Sequence, residues 1–97
     1  MTLSDFRATL SETAPPDSLP AALRALWHDA KGDWDRAHAV VQDEESADAA
    51  HVHAYLHRKE GDLGNARYWY RRAGHPEATA SLDDEWAAIV EELLDRT

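Results

Sequence analysis

A chain of 97 residues and 10.9 kDa has room for one modest core that buries roughly 60–70 % of the surface its unfolded form exposes. At 43 % hydrophobic and 30 % charged residues, with four glycines and four prolines, the composition excludes a low-complexity class, and the absence of cysteine excludes disulfides, thiol nucleophiles and cysteine-ligated zinc. A formal net charge of −9 opposes contact with phosphate backbones or anionic lipid, so neither nucleic acid nor membrane is an expected partner.

No run approaches the roughly 18 apolar residues of a membrane span, and Met1 to Arg7 lacks both a basic leader and an apolar signal core. The expected location is cytoplasmic. Strand signals are nearly absent, because β-branched residues are few and alanine, leucine, arginine and glutamate dominate, so the chain reads as all-α.

The first predicted helix follows Ser4 as its cap, carries Leu3, Phe6 and Leu10 on one face, and stops at Pro15-Pro16. Asp17 or Ser18 should cap a second helix with Pro20 in its first turn and an apolar stripe of Leu19, Leu23, Leu26, Trp27 and Ala30. Gly32 ends it. Asp33 is placed to cap a third helix with Trp34, Ala37, Val40 and Val41 inward, closing at Asp43-Glu44-Glu45. A fourth helix spans about Ser46 to Glu60, with Ala49, Val52, His53 and Leu56 on one face and Gly61 as its stop. Asp62 should cap a fifth, whose stripe is Leu63, Ala66, Trp69, Tyr70 and Ala73, broken at Gly74-His75-Pro76. The last begins at Ser81 and carries Leu82, Trp86, Ile89, Val90, Leu93 and Leu94.

Aligning Gly32 with Gly61 reveals an internal repeat at an offset of 29 residues. His28 then falls on His57, Asp33 on Asp62 and Ala37 on Ala66, and each unit reads helix, Gly-Asp turn, helix. The glycine tolerates a left-handed turn, the aspartate caps the following helix, and the alanine lets two helices approach. The segments from Gly32 to Ala37 and from Gly61 to Ala66 resemble the core of the tetratricopeptide repeat, and Tyr70, Ala73 and Pro76 resemble its later aromatic, alanine and proline positions. The resemblance covers about residues 19–76, with a period shorter than the family's 34. It implies a right-handed α-α superhelix of two tetratricopeptide-like repeats, about 19–43 and 47–74, with an N-terminal capping helix and a C-terminal one at about 81–96. Ala30 to Trp34 and His57 to Asp62 also resemble segments of a group of small bacterial proteins, a likeness that implies no activity.

By the same resemblance, the first helices of the two repeats would form a concave face that holds a protein or peptide, with His28, Lys31, His53, Tyr55, His57 and Arg58 as polar contacts. The expected function is accordingly a peptide-binding adaptor rather than an enzyme. A small-anion or metal-binding protein, or an enzyme using the histidines and arginines, is the alternative.

Six histidines raise the question of metal, and His53 and His57 stand one helical turn apart. The spacing specifies no third ligand and no supporting carboxylate, so the sequence predicts no metal and no cofactor. Arg58, Lys59, Arg67, Arg71 and Arg72 are half of the ten basic residues, and with Tyr68 and Trp69 they could grip an acidic group. Pairing with the acidic final helix of the same chain is the commoner use of such residues. His57 with Glu60 or Asp33 is the one candidate acid–base pair, and no nucleophile motif or phosphate loop accompanies it. The amphipathic final helix could cap the repeats or join two copies in a homodimer.

Overall fold

Helix boundaries follow the side chains that can satisfy free backbone amides. The computed structural model describes residues 1–97, which form six α-helices, one 3-10 turn and no strand. These are α1 (Leu3–Ala8), α2 (Ala21–Ala30), α3 (Trp34–Gln42), α4 (Ala47–Glu60), α5 (Leu63–Ala73) and α6 (Leu82–Asp95), with the 3-10 turn at Thr9–Ser11. The all-α reading holds, and no helix is long and apolar enough to cross a membrane.

Asp33, Ser46, Asp62 and Ser81 each cap the helix expected of them by accepting the amide three residues on. Two expected starts are corrected. Thr2, not Ser4, caps α1, because Thr2 and Asp5 exchange side-chain to backbone hydrogen bonds of 3.1 and 3.0 Å and so satisfy two amides at once. Pro20 lies just before α2 rather than in its first turn, and neither Asp17 nor Ser18 caps that helix.

The two Gly-Asp turns are built alike. Gly32 and Gly61 have φ of +83° and +90°, a conformation that strains any residue carrying a Cβ. Past each glycine the aspartate amide donates back to a histidine carbonyl, Asp33 to His28 at 3.0 Å and Asp62 to His57 at 2.9 Å. Those equivalent histidines therefore share a backbone role whatever their rings do.

α2 packs on α3 and α4 on α5, and α3 meets α4 between the two pairs. The main core gathers Phe6, Leu23, Leu26, Trp27, Val41, Val52 and Leu56 with Trp86, Ile89, Val90 and Leu93 of α6. Burying each of these larger side chains contributes about 1.5–3 kcal/mol. α6 lies across α1, α2 and α4, and Trp86 Nε1 donates to Leu26 O at 3.0 Å in the buried seam. Of its apolar stripe, Trp86, Ile89, Val90 and Leu93 are thus buried within the chain, and Leu82 and Leu94 are half-buried.

The inward face of α5 differs from the expectation. Ala66, Tyr70 and Ala73 are buried, Trp69 is half-buried, and Leu63 is 52 % exposed. Trp34, at the equivalent place in α3, reaches α4 and donates its indole N–H to Leu56 O at 2.8 Å. A leucine has neither the length nor the donor to do the same.

Candidate functional site

The side chains of α4 divide into two polar sets. Its caps and its alanines, Ala49, Ala50 and Ala54, let neighbouring helices come close, so even polar residues at its middle are enclosed. His53, Tyr55 and His57 are all buried.

One set faces α2 and α6. Tyr55 Oη donates to Asp29 Oδ2 and Lys59 Nζ to Asp29 Oδ1, both at 2.9 Å. Arg58 donates to Glu85 Oε1 at 2.8 Å and to Ala80 O, while Tyr70 Oη donates to Glu85 Oε2 at 2.5 Å. Asp29 and Glu85 are buried carboxylates, and each is met by one cation and one phenol. Burial, followed by the adjoining carboxylates, pushes both phenols well above the usual tyrosine range. This set is saturated, and it fastens α6 to the hairpin.

The other set faces α3 and α5. His53 and His57, one turn apart on α4, meet His38 of α3, and nitrogens of the three rings lie within 4.8 Å of one another. His38 Nε2 and His53 Nε2 share one N–H across 2.9 Å. The ring centroids are 4.6 Å apart for His38 and His53, 4.8 Å for His53 and His57, and 5.2 Å for His38 and His57. Two indoles wall the group: Trp34 stacks on His38 at 5.0 Å, and Trp69 stacks on His53 at 3.9 Å.

His57 Nδ1–H donates to Glu60 Oε2 at 2.6 Å, which places the proton on Nδ1 and leaves Nε2 as a lone pair in the neutral ring. His53 Nδ1 is buried with no hydrogen-bond partner. Such an orphan costs about 1–3 kcal/mol, which calls for a compensating role. Burial and then the neighbouring His38 and His57 push His53 down to about 4, and burial lowers His38 as well, so both rings are neutral near pH 7. Imidazoles held close, with a carboxylate behind one of them, have the donor types of a transition-metal site.

The remaining expected contacts lie elsewhere. His28 is half-buried, sits edge-on to Trp27 at 5.2 Å and belongs to no histidine group. Lys31 donates to the carbonyls of Leu10 and Glu12 at 2.6 and 3.1 Å, holding the segment after α1. Arg72 bonds Tyr68 Oη at 3.1 Å and lies over Trp69 at 5.1 Å, and Arg71 is exposed beside it. Of the polar contacts expected on a concave face, His53, Tyr55 and His57 are buried, and Arg58 is bonded to Glu85 of α6.

Of the two carboxylates considered for His57, Glu60 is bonded to it and Asp33 caps α3 instead. His38 escaped the sequence reading. The signal available was its position one turn after Trp34, mirroring the His53 and His57 spacing, but the repeat alignment sets Arg67 opposite it and suggests nothing. No protein-family model, curated protein or solved structure matches the chain, so the site is read from its own geometry.

Proposed function

We propose that the chain is a metal-binding protein that holds one divalent transition metal, zinc in the first instance, through His38, His53 and His57. The observation that supports this is the convergence of three histidine nitrogens within 4.8 Å. Zinc–nitrogen bonds of about 2.0–2.1 Å at tetrahedral angles set ligand atoms about 3.3 Å apart, so small side-chain rotations suffice. Glu60 on His57 Nδ1 is the outer carboxylate that orients a ligating imidazole and raises its basicity. Three protein ligands leave a fourth position for water or an anionic group, the ligand count of zinc sites that activate water. The helical scaffold is, on this reading, a tetratricopeptide-like pair of repeats whose junction supplies the ligands: one from the second helix of the first repeat, two from the first helix of the second.

Zinc at a hundredfold excess over its dissociation constant stabilises a native state by about 2.7 kcal/mol, which for a domain of this size raises Tm by about 10–20 °C. The expected result is such a rise in the full chain, reduced by the contribution of this site in His38→Ala and His57→Ala. Cobalt should also quench fluorescence from Trp34 and Trp69, which stack on the ligand rings. Equal zinc uptake by the full chain and His38→Ala would overturn the reading.

A further inference from the structure

A second histidine group lies on another side of α4. His51 of α4, His75 of the turn after α5 and Glu92 of α6 place one nitrogen or oxygen each within 4.8 Å of one another. The two imidazoles stack with centroids 3.9 Å apart and planes 24° from parallel. His75 is held there by its backbone: Gly74 ends α5 with φ of +72°, and the His75 amide donates to Tyr70 O at 3.0 Å. The group opens into a groove of about 380 Å³ bordered by Asp84, Glu85 and Glu92.

Acidic side chains border it: Asp84 and Glu92 of α6 are exposed on its rim, and Asp48 stands one turn before His51 on α4. The nearby arginines are already engaged, Arg58 with Glu85 at 2.8 Å and Arg96 with Asp48 at 2.6 Å, and the contact of Arg96 with Glu92 is a long 3.4 Å. Two imidazoles and one carboxylate around an open groove are the donor set of zinc sites with three protein ligands and a free position.

We infer that His51, His75 and Glu92 form a second divalent-metal site, independent of the first, that clips α6 to the α4–α5 hairpin. The three ligands come from three separate elements, so a bound ion bridges them and resists the departure of α6. Nothing comparable holds at the first site, whose ligands all come from α3 and α4 and leave α6 untouched.

Calorimetric titration of the full chain with zinc separates the two sites. Two equivalents are expected, with one lost in His75→Ala and the other lost in His38→Ala. Glu92→Gln, at an exposed position of α6, should weaken the second equivalent by more than about tenfold, the effect of losing even an outer partner of a metal ligand. It also decides the matter if His75→Ala fails to fold. Two equivalents retained in His75→Ala, or unchanged affinity in Glu92→Gln, would overturn this site. A single equivalent abolished by His38→Ala would likewise overturn it and leave the first site standing. A single equivalent abolished by His75→Ala alone would overturn the first site and uphold this one, and no uptake at all would remove both.

Discussion

The two polar sets on α4 have similar burial and opposite states of satisfaction. Toward α6, Asp29 and Glu85 each accept from a cation and a phenol, and the polar groups that meet there are complementary. Toward α3, three chemically identical rings crowd together, two share one proton, and His53 Nδ1 has no partner. A saturated network holds helices in register. Like groups brought together at a cost to stability are the feature on which the proposed metal site rests, so the two sides of the helix differ in kind.

Breaking the saturated side should have the largest effect. Glu85→Leu strands Arg58 and Tyr70 in a buried seam and should lower unfolding free energy by about 3–5 kcal/mol, measured by urea denaturation. A loss below about 1 kcal/mol would mean that α6 is held by its apolar stripe alone.

The histidine side should reveal itself through pH. His53 falls from an ordinary 6.5 to about 4 on folding, so between these values the unfolded chain binds more protons than the folded one. Its contribution, about 3 kcal/mol from a shift of this size, is complete above pH 6.5 and is lost as pH falls toward 4. His28, His38 and His51 are lowered by burial too and act in the same direction. The groups facing His53 are His38, His57 and the Trp69 ring, none of which supplies a carboxylate to reverse the sign. Metal-free protein should therefore unfold more readily at pH 4.5 than at pH 7.5, and equal stability at the two values would contradict the burial of neutral imidazoles.

The smallest effect sharpens the contrast most. Tyr55→Phe removes one of the two donors to buried Asp29 and should cost about 1–2 kcal/mol. His53→Leu removes an unsatisfied nitrogen together with the bond to His38 and the stacking on Trp69, so the gain and the losses offset and the net change should stay within about 1 kcal/mol of zero. If His53→Leu proved the more damaging, the histidine group would be structural.

Much of the architecture was legible along the chain because its causes are local. Gly32-Asp33 and Gly61-Asp62 end one helix and cap the next within two residues, and Ser46 and Ser81 mark starts by satisfying an amide three residues away. Where two local solutions competed, as with Thr2 and Ser4, the one satisfying two amides won. Stripes at spacings of three and four identified most of the apolar faces of α2 and α6, while Ala30 and Leu63, both exposed, show the limit of the rule: a stripe gives a direction without saying whether a neighbour stands there.

The sequence by itself thus determined an all-helical chain, the caps of α3 to α6 and the two Gly-Asp turns, and the pairing of His53 with His57 on one helix face. Tertiary structure alone decided that His38, 15 residues before His53, joins that pair, that Glu60 rather than Asp33 supports it, and that Arg58 is tied to Glu85 of α6. Helical periodicity sets which residues share a face, but the rotation of one helix against another depends on how all their side chains pack together, and no single segment contains that information.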